Sequence, residues 1–227
     1  MTKLAVLTDL HANLPALRAA LAAIEKEGCD LVVHTGDAIA IGPHPAECLD
    51  LLLNTPNVVC LKGNHETWLV DGLPQPRPDW MTDGEVAHQH WTHAQIDAGT
   101  RAAIDSWPYR LALGLGGVRV TFVHYGLTES GQDFVPVVRP PTAEGLDLAF
   151  ADEPTAVVFN GHDHRASDIE GRALPGLRGS AYARARLSLR CVLWRALGLT
   201  PAGAAMHPGS ASAEQPRSAR SRAEGPG

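Results

Sequence analysis

The stretch Leu4-Ala5-Val6-Leu7-Thr8-Asp9-Leu10-His11-Ala12-Asn13-Leu14-Pro15 decides how the rest of the chain is read. Leu4 to Thr8 is a short apolar run of strand length that stops at Asp9. Asn13 is a capping residue and Pro15 stands at a helix start, where its missing N–H and fixed φ do no harm. Leu14, Leu17, Leu21 and Ile24 then recur at helical spacing as far as Gly28. The stretch predicts a buried strand, a polar turn carrying Asp9 and His11, and an amphipathic helix.

The same unit recurs directly downstream. Asp30 to His34 predicts a second strand, Pro45 to Asn54 a second helix with Cys48, Leu49, Leu52 and Leu53 along one side, and Val58 to Leu61 a third strand. Strands alternating with helices imply right-handed crossovers and a largely parallel sheet covered on both faces, an α/β fold. Each strand runs into chemistry-bearing residues: Asp9 and His11, then Asp37, then Asn64 and His65. In open α/β sheets ligands bind beyond the carboxyl ends of the strands, so the three loops are expected to meet in one crevice.

Thr67 to Trp107 is polar, punctuated by proline and rich in Trp and His, and predicts a helical insert or cap over 66–108. Leu111, Leu113 and Leu115, the pair Gly116-Gly117, and Val118, Val120 and Phe122 predict two alternating strands around a tight turn that deliver His124. Thr142 to Phe150 predicts a short helix, and Val157 to Asn160 a buried strand ending in Gly161-His162-Asp163-His164. Beyond about Pro175 the composition changes: residues 171–213 contain no Asp or Glu, and the end is mostly Ala, Ser, Gly, Pro and Arg. Such a composition buries little apolar surface. The expectation is one domain over 1–175, no recognisable closing strand after Gly171, and a largely disordered tail over 176–227, within which Leu187 to Leu199 is apolar enough to form an amphipathic or edge-covering segment.

Composition narrows the function. The 227 residues suffice for one sizeable core, and no apolar run approaches the roughly 20 residues of a membrane span. Met1-Thr2-Lys3 leads straight into Leu4 without the features of a signal peptide, so a cytoplasmic location and no membrane partner are expected. Cys29, Cys48, Cys60 and Cys191 form no Cys-x-x-Cys pair and read as small buried hydrophobes. Residues 1–172 carry 11 Lys+Arg against 23 Asp+Glu, a balance of −12, whereas residues 173–227 carry 8 Arg against 2 Glu, a balance of +6. An acidic body argues against a long polyanion such as nucleic acid, whose binding needs a basic face, and is easier to reconcile with a small phosphate ester, nucleotides among them.

Taken in order, Asp9-Leu10-His11, Gly36-Asp37, Gly63-Asn64-His65-Glu66, His124 and Gly161-His162-Asp163-His164 resemble the signature of the calcineurin-like metallophosphoesterases. The short Asp-Leu-His-Ala-Asn opening is most similar to the small bacterial phosphodiesterase branch. The resemblance covers residues 4 to about 172 and implies two packed β-sheets flanked by helices. It implies two divalent transition-metal ions, Mn, Fe, Co, Ni or Zn, the first held by Asp9, His11, Asp37 and His164, the second by Asp37, Asn64, His124 and His162. Asp37 would bridge them, and His65 would be catalytic rather than a ligand. The implied reaction is hydrolysis of a phosphomonoester or phosphodiester by a metal-bridging hydroxide, with His65 adding general-acid help. The alternative is a catalytically weak metal-binding scaffold of the same fold that acts through protein binding.

Two departures stand out. The Asp-Arg continuation of some subfamilies is absent, because Gly36-Asp37 runs into Ala38-Ile39-Ala40, and His124 is followed by Tyr125 instead of glycine. His34 reads as a satisfied core histidine, and His88, His90 and His93 as a solvated helix face. Trp68, Trp80, Trp91 and Trp107 read as core or lid packing. Glu66, Tyr125 and Asp163 are assigned only helix-start, packing and loop roles.

Overall fold

The structure is a computed structural model that describes residues 3–115, 117–153, 155, 157–164 and 169, and the backbone of 191–195. Strand β1 (Leu4–Thr8) is buried along its whole length. Helix α1 (Leu14–Glu27) starts where the Asn13 side chain accepts a hydrogen bond from the Ala16 N–H at 3.2 Å. It ends at Gly28, whose φ of 62° is the left-handed stop that glycine adopts without strain. Strand β2 (Leu31–His34), helix α2 (Pro45–Asn54) and strand β3 (Val58–Cys60) follow.

Three helices then lie between β3 and the next strand: α3 (Asn64–Asp71), α4 (Asp83–Ala94) and α5 (Ala98–Asp105). Helix α4 opens on a capping box in which the Thr82 hydroxyl accepts from the Glu85 N–H at 3.2 Å and the Glu85 carboxylate accepts from the Thr82 N–H at 2.6 Å. The hairpin of β4 (Arg110–Leu115) and β5 (Val118–Val123) has the register Leu115↔Val118 to Arg110↔Val123. Helix α6 (Ala143–Ala149) and strand β6 (Val157–Phe159) lead to the last histidine motif. No helix of the described residues is long and apolar enough to cross a membrane.

One sheet has the order β3-β2-β1-β7, with β7 at Cys191–Arg195, and is parallel throughout; the other has the order β4-β5-β6. Period-two alternation sends Leu4 and Val6 to one face of β1 and Ala5 and Leu7 to the other. Leu4, Val6, Val33 and Leu61 meet Val120 and Phe122 between the two sheets. Ala5, Leu7 and Val32 instead pack with Leu14, Leu17, Leu49 and Leu52 of α1 and α2. Val123 and Val158 pack with Leu146 and Phe150 on the outside of the second sheet. Each such side chain contributes about 1.5–3 kcal/mol when fully buried, so three apolar layers hold the expected α/β sandwich of two sheets between helices.

One expectation is corrected. A closing strand exists: β7 (Cys191–Arg195) runs parallel to β1, from Leu4↔Cys191 to Thr8↔Arg195. Its five residues lie inside Leu187 to Leu199, the apolar run within the Arg-rich, acid-free segment, and cover the β1 edge of the sheet. The rest of 176–227 lies outside the described residues. Cys48 and Cys60 are free and buried, and burial pushes both thiols up to about 12, in keeping with a packing role.

Candidate metal centre

The loops after β1, β2, β3, β5 and β6 are tied together by backbone. Asp9 N–H donates to Gly36 O at 3.2 Å, His11 N–H to Asp37 O at 2.9 Å, and Gly161 N–H to His124 O at 2.9 Å. Gly36 and Gly63 approach each other closely. A Cβ on Gly36, whose φ is 103°, would stand 2.6 Å from Gly63 N and 2.9 Å from His124 Nδ1. A Cβ on Gly63 would collide with the Asp37 carboxylate. The glycines of the Gly-Asp and Gly-Asn-His motifs are therefore needed for the two loops to touch.

All seven residues expected as ligands come together. Asp9, His11, Asp37 and His164 form one group, and Asp37, His124 and His162 a second, the ligand atoms of each lying within 4.8 Å of one another. The Asn64 amide oxygen is 3.1 Å from His124 Nε2 and completes the second group. Only Asp37 belongs to both. His65 belongs to neither: its Nε2 is 4.0 Å from Asp37 Oδ2.

The donor chemistry of these atoms fits a cation. His124 Nδ1 faces the Thr35 carbonyl at 3.1 Å, and since a carbonyl only accepts, Nδ1 carries the proton. A neutral His124 thus turns the bare lone pair of Nε2 toward Asn64 Oδ1 at 3.1 Å, His162 Nδ1 at 3.0 Å and Asp37 Oδ2 at 3.2 Å. His11 repeats the pattern, its Nδ1 3.2 Å from Ile39 O and its Nε2 2.9 Å from His164 Nε2. Converging lone pairs repel unless a positive charge lies among them. Burial works against a charge on His124, yet the neighbouring Asp37 carboxylate outweighs it and raises that imidazole to about 9. A bound metal would take the place of this proton.

Burial holds His11 and His162 neutral, each pushed down to about 4, which is the form that ligates. Burial alone would raise Asp37, but the surrounding histidines, His124 first, hold it well below the ordinary carboxylate range. Asp9 is fixed by the His162 N–H, at 2.9 Å to Oδ1, and by the Thr8 hydroxyl, at 2.9 Å to Oδ2. Asp9, His11, Asp37, His162 and His164 all have positive φ, between 48° and 68°, a left-handed backbone uncommon for any residue with a Cβ.

Two residues matter here that the sequence reading passed over. Glu66, completely buried, accepts from the N–H groups of Asp37 and Gly63 at 2.8 Å on one oxygen and from those of Ala38 at 2.8 Å and Ile39 at 3.4 Å on the other. It staples the second motif to the third. Burial first, and then Asp37, push its carboxyl up to about 7, against the pull of the Gly63 and Asp37 N–H groups. Both oxygens only accept, so the carboxylate is the form that satisfies every donor. Its signal was a Glu three residues past a helix cap, which foretells the Gly63 bond but not the reach across to Asp37.

The other is Gln89 of α4. Its amide nitrogen lies 2.9 Å from His65 Nδ1 and the residue is 5% exposed. With Gln89 donating, Nδ1 accepts and the proton of a neutral His65 sits on Nε2, the nitrogen that faces Asp37. No sequence signal marks this glutamine, because the contact spans 24 residues and two helices.

The remaining residues fall out unevenly. His34 is buried, receives the Gly36 N–H at 3.3 Å and is pushed down to about 4 by burial, while its Nε2 has no partner among the described residues; it is half satisfied. His88, His90 and His93 join neither metal-capable group among the described residues, and His88 stacks on Trp91 with centroids 5.5 Å apart. Trp107 packs against the core, but Trp80 and Trp91 are exposed. Tyr125 packs on Phe150 and accepts the Val138 N–H at 2.9 Å, which accounts for a tyrosine after His124. Asp163 pairs with Arg139 at 2.6 Å.

The site opens into a cleft of about 540 Å³ lined by His11, Asp37, Asn64, His65, His162 and His164 among others. In sequence, 121 residues are 29% identical to an uncharacterised protein of Methanocaldococcus jannaschii, covering 53% of this chain and 48% of that one. The chain spans about half the length of this curated relative. A metallophosphoesterase from Sphaerobacter thermophilus has a similar crystal structure, with a TM-score of 0.55 and 26% identity over 72% of this chain and 61% of that one. A hypothetical protein of Pyrococcus horikoshii shares the fold with a TM-score of 0.64 and 17% identity over 80% of this chain and 75% of its own. The sequence profile of the calcineurin-like phosphoesterases matches residues 2–191, most of the chain, and the protein belongs to that family.

Proposed function

We propose that this protein hydrolyses a phosphomonoester or phosphodiester of a small molecule with two divalent transition-metal ions. The supporting observation is the pair of ligand groups that share Asp37 while His65 stands just outside both. Asp9, His11, Asp37 and His164 would hold one ion, and Asp37, Asn64, His124 and His162 the other. A mixed set of carboxylate, imidazole and amide oxygen suits Mn, Fe, Co, Ni or Zn. Bound metals at such a site lower the pKa of the attacking water and neutralise charge on the phosphoryl oxygens.

The chain's own residues supply position and one proton. Asp37 Oδ1 accepts the His65 N–H at 3.1 Å, so the residue shared by both ligand groups also seats the backbone of the catalytic histidine. Gln89 keeps the His65 proton on Nε2, where it donates to the phosphoryl or departing oxygen. Burial lowers the pKa of His65 and so favours the neutral ring, in which Nδ1 accepts from Gln89 and Nε2–H is the donor.

The reading is tested on metal-stripped protein reloaded with one metal at a time and offered a panel of phosphomonoesters and phosphodiesters. Hydrolysis is expected to vanish on chelation and to return with Mn or a similar ion. His65→Ala is expected to keep about two metals per chain and lose about 10² to 10⁴-fold in turnover. Full activity after exhaustive chelation would refute the proposal, and tight metal binding without turnover of any ester would make the protein a scaffold.

Gln89→Leu is expected to lower kcat about 10-fold with KM, metal content and melting temperature nearly unchanged, because it removes only the partner that selects the His65 tautomer. A change in KM with kcat intact would assign Gln89 to substrate binding instead.

A further inference from the structure

The cleft that holds the ligand groups is also lined by Ile41, Trp68, Trp80, Met81, Glu85 and His88, and among the described residues its lining includes no Lys or Arg. Trp68 meets His65 in a T-shaped contact with centroids 4.8 Å apart, and Trp80 lies 6.0 Å beyond Trp68 with the two ring planes 34° apart. A row of aromatic rings therefore starts at the catalytic histidine and continues into open cleft. Trp80 is 60% exposed and Ile41 59% exposed, although both are large apolar side chains. Such surface beside a catalytic centre is what a ligand covers.

The row is held in place. Met81, 2% exposed, anchors the chain next to Trp80, its N–H donates to Pro78 O at 3.0 Å, and the Thr82–Glu85 capping box fixes the residue after it. Trp80 is thus presented by a built turn at the start of α4.

Resting on the phosphoesterase reading, we propose that Trp68 and Trp80 form a stacking platform for a planar aromatic group carried on the scissile phosphate. The substrate is then a phosphoester with an aryl or nucleobase substituent. Faces of aromatic rings accept any planar π-system, which gives the group a place without hydrogen-bond readout.

The test uses the full chain loaded with Mn and four diesters that share one non-aromatic leaving group, hexafluoroisopropanol, whose release is followed by fluorine NMR. The bond broken is then constant, and the leaving group cannot itself occupy the platform. The other substituent is methyl, cyclohexyl, phenyl or a nucleoside 5′-linkage. The phenyl and nucleoside esters are expected to exceed the methyl ester in kcat/KM by about 10 to 100-fold, the range of aromatic stacking, and the cyclohexyl ester to stay near methyl. The phenyl and nucleoside arms separate a simple aryl group from a base. Trp80→Ala is expected to bring the aromatic-to-methyl ratio to about one, and Trp80→Phe to keep most of it.

Hydrolysis of all four esters at similar rates would overturn the platform and leave the phosphoesterase standing. If none is hydrolysed, the phosphoesterase reading fails and binding decides the platform. Quenching of tryptophan fluorescence by phenyl phosphate or a nucleoside monophosphate but not by methyl phosphate, lost in Trp80→Ala, supports it, and its absence overturns it.

Discussion

Asp37→Ala is expected to lower kcat/KM by about 10³-fold or more and to leave the protein with one metal ion per chain or fewer. Asp37 is 2% exposed, and its Oδ2 stands 3.2 Å from His124 Nε2, 3.9 Å from His11 Nε2 and 4.0 Å from His65 Nε2. Without it both ligand groups lose their shared anion, and nothing offsets the repulsion between two cations roughly 4 Å apart. Charge stabilisation of several kcal/mol in the transition state goes with it, at about 1.4 kcal/mol per tenfold in rate. Asp37→Asn keeps the volume and an oxygen for the His65 N–H, so it should fold normally and still lose metal. Elemental analysis alongside kinetics settles the point: two ions per chain and a rate within tenfold of the parent would show that Asp37 is no bridge.

Glu66→Ala is expected to lower the melting temperature by about 6–20 °C. The substitution strips the acceptor from three buried N–H groups bonded at 2.8 Å, those of Asp37, Ala38 and Gly63, and from a fourth on Ile39 at 3.4 Å. A buried donor left unpaired costs about 1–3 kcal/mol, and water entering the space recovers part of that, so a net loss of about 3–5 kcal/mol follows. For a domain of this size each kcal/mol moves the midpoint by about 2–4 °C. Glu66→Gln should lose less, because its single oxygen still accepts two of the bonds. Calorimetry of the parent and both variants checks the order, and equal midpoints for all three would mean that the loops hold together without the carboxylate.

The parts of the molecule that the sequence foretold are those whose causes are local. Asn13, Pro15 and Gly28 bound α1, the alternation of Leu111 to Phe122 made the hairpin legible, and five loop motifs marked the strand ends. Glu66 and Gln89 were not legible, because each acts on a loop or ring 24 to 29 residues away and carries its role in a single side chain with no repeat around it. Strand β7 was legible only in part: the apolar run Leu187 to Leu199 marked an edge-covering segment, but the composition of the several dozen residues around it hid that five of them form a strand. Trp80 was read as core or lid packing because sequence alone cannot tell a tryptophan that fills a core from one that faces a cleft.

The left-handed backbone at Asp9, His11, Asp37, His162 and His164 places conformational strain on residues that come together in the two ligand groups. Residues with a Cβ held there cost about 1–3 kcal/mol each, and glycine at the same positions would relieve the strain. Glycine substituted at any of the five is therefore expected to relax the backbone while removing a side chain proposed to hold metal, so that a sturdier variant would be a poorer metal binder.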